Sequence, residues 1–166
     1  QLGAQRVDRR SLPSLDDLAA SVTSDSSIQL FGRTTGDRIP LWAETDLLSD
    51  DPLHTSVMIR QQAGLTPGHE FIVVITDSVL DEDGAAMEAS EAFRVLRDDE
   101  PTSSAPLDAL RDEYASIFEF LADHDVERQH VVLAWRFVTF SEEFATGQLT
   151  SVIDTAYDAI EDDDYL

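Results

Sequence analysis

The chain has no cysteine, no lysine and only seven glycines in 166 residues. Without cysteine there can be no disulfide, no thiolate metal ligand and no cysteine nucleophile. Stability must therefore come from a packed core, with bound cations as the one available supplement. Export is still open to it, because disulfides are common in exported proteins but not required of them. The scarcity of glycine bears on catalysis. Neither the nucleophile elbow Gly-x-Ser-x-Gly nor a glycine-rich phosphate loop occurs, and both need glycine to relieve a tight turn. Long apolar runs are missing too. A membrane-spanning helix needs roughly 18 or more apolar residues, whereas the runs at Phe71–Thr76 and Val131–Phe140 are strand-sized. This predicts no membrane insertion. The chain opens at Gln1 and not at Met, as expected where a leader, an upstream domain or another segment has been removed.

What is abundant is negative charge. Asp and Glu total 34 against 11 basic residues, all arginine, for a net charge of −23. Such a surface repels phosphate backbones and anionic headgroups, which argues against nucleic acid and membrane surfaces as partners. Three functional readings fit: a salt-adapted solvation shell, cation binding, or a basic partner. The plainer reading is an acidic surface that keeps an extracellular protein soluble, since the acids are scattered and not gathered in one run. A hydrophobic fraction of 42% is enough for a real core.

Residues 1–26 are polar and rich in Ser and Asp, with a short helix expected over Leu15–Val22 behind Ser14 as N-cap. Residues 27–97 read as β-structure. Ile28 and Leu30, then Ile39, Leu41 and Ala43, are apolar at period two around the turn residues Thr34-Thr35-Gly36-Asp37, which predicts a hairpin. Ser56–Arg60 alternates. Leu65-Thr66-Pro67-Gly68 is turn chemistry leading into the strand Glu70–Thr76, Asp81–Gly84 is a further turn, and Phe93–Leu96 is expected as a last short strand. A polar linker, 98–105, follows. Leu107, Leu110, Tyr114, Ile117, Phe118 and Leu121 keep helical spacing, so Pro106–Ala122 is expected as one amphipathic helix with proline in its first turn. Val131–Thr139 is apolar on both faces except Arg136, as a strand buried in a sheet would be. Ser141, Glu142 and Glu143 open another helix, whose Leu149, Val152, Ile153, Ala156, Tyr157 and Ile160 are expected to be its buried stripe.

Few residues stand out as a site. Asp77, Asp81 and Asp83, with Glu82 and ending at Gly84, offer oxygen ligands in a tight loop. They can be read as a calcium site or as a solvated Asp-Gly turn; the spacing is not that of an EF-hand. His54, His69, His124 and His130 show no metal-ligand spacing and each borders a turn or an element end. Trp42 and Trp135 could stack on sugars, but their apolar strands favour the core. Arg136 needs a carboxylate partner or a route to solvent, and reads as a structural ion pair or an interface anchor. No catalytic residue and no cofactor site is expected.

The stretch Leu65-Thr66-Pro67-Gly68 leading into Phe71-Ile72-Val73-Val74-Ile75, followed by Val79-Leu80-Asp81-Glu82-Asp83-Gly84, resembles a bacterial Ig-like domain. The continuation through Tyr114–Leu121, Val131–Thr139 and Ser141-Glu142-Glu143 is similar to large secreted bacterial proteins, some lipase- or esterase-like with a hydrolase domain further along. The resemblance spans roughly residues 28–160. It implies a mainly β protein with some α: an Ig-like β-sandwich over 27–97 plus a helix–strand–helix element over 106–166. It also implies a non-catalytic accessory or interaction module, located outside the cell, at the cell surface or in the periplasm. The partner would be a neighbouring domain of the same polypeptide or another protein. A self-assembling surface subunit is the alternative, and a part of a secreted esterase or lipase is the next.

Overall fold

The computed structural model describes residues 6–46 and 56–162. It contains both helices and strands: β1 (Ile28–Gly32), β2 (Leu41–Thr45), β3 (Val57–Gln61), β4 (Glu70–Thr76), α1 (Glu91–Arg97), α2 (Ala105–Asp108), α3 (Arg111–Ala122), β5 (Val131–Val138) and α4 (Glu142–Asp162), with short 3-10 turns between some of them. Two small antiparallel sheets form. One has the order β1-β4-β5, and the other pairs β2 with β3.

The uninterrupted apolar run of β4 follows from its place. It is the central strand, and side chains alternate across a sheet, so each face meets its own core. Phe71, Val73 and Ile75 face one way and join Ile28, Leu30, Leu41 and Val132, against which Ala43, Val57 and Ile59 of the second sheet pack. Ile72 and Val74 face the other way and join Phe31, Phe93, Ile117, Phe118, Leu121, Val131 and Ala134. The three-stranded sheet is thus a middle layer, with the two-stranded sheet on one side and α1 and α3 on the other. The strand of the C-terminal third, β5, is hydrogen-bonded along β4 from Glu70↔Val138 to Thr76↔Val131, with a bulge beside Thr76. The segment 98–105 therefore does not separate two independent cores.

Several expectations change on folding. The turn Thr34–Asp37 forms, with Gly36 at φ 74° and Ile39 N–H donating to Leu30 C=O at 2.7 Å. The hairpin ends there after one bridge, Phe31↔Arg38, because β2 leaves to pair with β3 in register Leu41↔Gln61. Residues 93–96 are helical, not a strand. Ser90 Oγ accepts from Phe93 N–H, Glu91 lies in the first turn, and Phe93 and Leu96 are buried one turn apart. The long helix over 106–122 is two pieces, α2 and α3, broken at Ala109 and Leu110. The break turns Leu110 outward and still lets Ile117, Phe118 and Leu121 reach the sheet. Residues 15–22 make two 3-10 turns, with the expected Ser14 cap on Asp16 N–H. They are part of the body: Ser21 is buried and its hydroxyl accepts from Leu41 N–H at 3.1 Å.

The largest difference is in α4. Leu149, Val152, Ile153, Ala156, Tyr157 and Ile160 do lie along one helix, but all are exposed, and none joins either core. Helical periodicity shows that a face is apolar; it does not show that this chain supplies the cover.

Candidate interaction surface

How the chain leaves the sheet determines where this face is presented. At the end of β5 the turn Thr66–His69 grips the chain. Thr139 Oγ1 donates to Thr66 C=O at 2.7 Å, Thr139 N–H donates to His69 C=O at 3.0 Å, and Gly68 N–H donates to Phe140 C=O at 3.1 Å. Gly68 sits at φ 71°, the left-handed conformation that glycine adopts without strain, with Ser141 packed 3.8 Å from where a Cβ would stand. The next residues start α4. Ser141 Oγ accepts from Phe144 N–H at 3.1 Å, and Glu142 and Glu143 lie in the first turn, where carboxylates favour the positive helix end. Further along, the hydroxyls of Thr146, Thr150 and Thr155 donate to carbonyls four residues back.

At 3.6 residues per turn, Leu149, Ile153, Ala156 and Ile160 form one row, with Val152 and Tyr157 on either side of it, Asp154 bordering Tyr157, and Asp158 across the helix. Phe140 and Phe144, 74% and 70% exposed, stack with ring centroids 4.9 Å apart at the root of the helix, next to exposed Val138. These two phenylalanines drew no attention in the sequence. Their spacing of four residues across the Ser141 cap was the available signal. An exposed Leu or Val by itself needs no explanation, but a contiguous row of large apolar side chains on one element marks an interaction site.

The residues singled out from the sequence go elsewhere. Arg136 is bound to two carboxylates, Glu113 at 2.9 Å and Glu70 at 3.0 Å, and these hold its guanidinium pKa above the ordinary value, Glu113 contributing most. Glu70 also takes Arg33 at 3.1 Å, so β4, β5, α3 and the residue after β1 meet in one ion-pair chain. The sequence left a carboxylate partner and a route to solvent both open for Arg136, and the side chain has both, being partly exposed beside its two carboxylates.

Asp77, Asp81 and Asp83 do not converge. Among the described residues no group of three or more His, Asp or Glu is placed to hold a metal ion. Asp81 is buried, and its Oδ1 accepts from Asp83 N–H at 3.0 Å and Ala85 N–H at 2.8 Å, which closes the turn at Gly84. Asp77 Oδ2 lies 2.8 Å from His130 Nδ1. That contact, reinforced by the charge of Asp77, raises the pKa of His130.

His69 and His124 each use Nδ1 on a nearby carbonyl, Pro67 at 2.9 Å and Phe120 at 2.7 Å, and His54 lies outside the described residues. Trp135 is partly buried against the core between the sheets, and Trp42 is half-buried on β2 opposite Arg60. An open groove of about 880 Å³ beside α1 is lined by Asp77, Glu88, Glu91, Arg94 and Arg97. Its charges are mostly spent on neighbours: Arg97 on Asp98 and the Val131 carbonyl, Arg94 on Glu100.

No family model, no curated protein and no solved structure matches this chain. Among the described residues no helix is long and apolar enough to cross a membrane.

Proposed function

We propose that this chain is a non-catalytic interaction module that docks a neighbouring domain or another protein through the apolar face of α4. The observation that carries this reading is the row Leu149, Val152, Ile153, Tyr157 and Ile160, five large apolar side chains left in water on a helix anchored by a capped, hydrogen-bonded exit from the sheet. A helix laying its apolar stripe into a groove is a recurrent mode of recognition. An extracellular or cell-surface setting next to a hydrolase domain belongs to the same proposal. So does descent from a bacterial Ig-like domain, supported by two antiparallel sheets facing one another across a shared core.

Photo-crosslinkers placed singly along α4 in the producing cell test the reading. Adducts are expected from positions 152 and 157, and not from positions 151 and 158 on the opposite side. Equal adducts from both sides, or none from either, would end it. Self-assembly by strand addition is a second reading, favoured by the outer edge of β3, which pairs with no other strand among the described residues. It requires oligomers in light scattering that survive substitution of the α4 face.

A further inference from the structure

We infer that the partner of α4 is a protein surface with an apolar groove and a basic, arginine- or lysine-bearing rim. The inference rests on reading α4 as the docking element and adds the chemistry of what it docks. Residues 137–166 contain eight Asp or Glu and no Lys, Arg or His, so Arg136 is the last basic residue of the chain. Within α4 one end and one flank of the apolar row are acidic: Glu142 stands in line with Leu149 seven residues on, and Glu143 and Asp154 lie on the Tyr157 side of the row.

The basic residues of the body are also largely engaged. Arg136 and Arg33 hold Glu70, Arg111 holds Asp99 and Asp108, Arg97 holds Asp98, and Arg60 holds Glu44. A second copy of this chain would set acids against acids along the same helix and add another net −23 to the assembly, and like charges facing each other across an interface oppose association. An anionic membrane is disfavoured by the same repulsion. A groove with a cationic rim satisfies both features of the face: it covers the apolar row and pairs the carboxylates beside it. The acids then add to the rate and selectivity of encounter, and the apolar row supplies the burial.

The test uses the whole 166-residue chain and three fluorescent amphipathic helical peptides with one common apolar stripe, flanked by Arg, by Gln or by Glu. Binding is followed by anisotropy, under salt conditions where circular dichroism shows the chain folded. The Arg-flanked peptide is expected to bind about tenfold or more tightly than the Gln-flanked one, with the margin shrinking from about 0.05 to 0.5 M salt as the charges are screened. The Glu-flanked peptide and an Arg-matched peptide with a scrambled stripe should not bind.

The triple variant Val152→Ala, Ile153→Ala, Tyr157→Ala keeps helix-forming residues at exposed positions and should abolish binding. Glu143→Gln with Asp154→Asn should cut the advantage of the Arg-flanked peptide and leave Gln-flanked binding unchanged. Equal, salt-insensitive binding of the Arg- and Gln-flanked peptides overturns the basic rim but leaves the docking face standing. Concentration-dependent dimers that vanish in the triple variant also overturn the basic partner and identify a second copy as the occupant. Binding to neutral phosphatidylcholine vesicles with no peptide binding overturns it in favour of a lipid surface. An Arg-flanked peptide that binds the triple variant undiminished overturns both the rim and the face, as does a monomer that binds no peptide.

Discussion

Helices α3 and α4 are both amphipathic and both begin with acids in the first turn, yet one is built into the molecule and the other projects its apolar face into water. In α3, Ile117, Phe118 and Leu121 are buried against the sheet. Phe93 of α1 meets Tyr114 edge-on at 5.7 Å, and Tyr114 Oη donates to the Ala134 carbonyl at 3.0 Å. Among the described residues, none of α4 enters either core. The comparison shows that amphipathicity is a demand for cover. Chain connectivity decides whether the demand is met within the fold: α3 is followed by a tight return, with Asp125 at φ 60°, and β5 lies beneath it. α4 follows the sheet's last strand.

Four contrasts between these helices and their surroundings would sharpen or break that view. The largest concerns equivalent isoleucines. Ile117→Ala removes a fully buried side chain and should cost about 2–5 kcal/mol in denaturant unfolding. Ile153→Ala, at an exposed position, should stay within about 0.5 kcal/mol. A comparable loss at both sites would mean that α4 is docked on the body after all.

The glycines come next. Gly36 combines φ 74° with the His124 ring standing where a Cβ would go, so Gly36→Ala should destabilise by about 1–2 kcal/mol. Gly147, inside α4, has nothing within 4 Å of its missing Cβ. Gly147→Ala should instead raise helix stability by about 0.5–1 kcal/mol, seen as increased helical circular dichroism.

The tyrosines give a smaller effect. Tyr114→Phe leaves the half-buried Ala134 carbonyl contact unmade and should cost about 0.5–1.5 kcal/mol, whereas exposed Tyr157→Phe should be silent in the same unfolding experiment.

The smallest is a titration. Asp77 holds His130 at the start of β5, so His130 should titrate above the ordinary histidine value of about 6.5 in an NMR pH series. A histidine whose pKa is raised in the folded state stabilises the fold fully below its unfolded pKa, and that contribution is lost as pH rises through the elevated one. Asp77→Asn should return the titration towards the ordinary value and remove this pH dependence.

Local patterns in the chain carried a good part of the fold. The turns at Thr34–Asp37, Leu65–Gly68 and Asp81–Gly84 were legible because glycine takes a positive φ there. The strands β3, β4 and β5 were legible from apolar period or run, and the Ser14 and Ser141 caps from a hydroxyl before acids. Where the reading failed, distant contacts had the deciding vote. Residues 93–96 are apolar enough for a strand, and only the Ser90 cap and the two-sided core beside α1 make them a helix. β2 looked like the partner of β1 until β3, from beyond residues 46–56, competed for it. The candidate site was half legible: the apolar row of α4 was seen as a row and misread as buried. Burial depends on what the rest of the chain places opposite a helix, and no local pattern encodes that.

By itself, then, the sequence determined the periodicity of each element, the turns, the caps and the sign of the surface charge, because each depends on neighbours within a few residues. The tertiary structure alone decided which strands pair, which carboxylates meet Arg136, that Asp81 closes its turn with backbone N–H groups, and that α4 faces water. Those outcomes depend on residues far apart in the chain competing for the same limited buried surface.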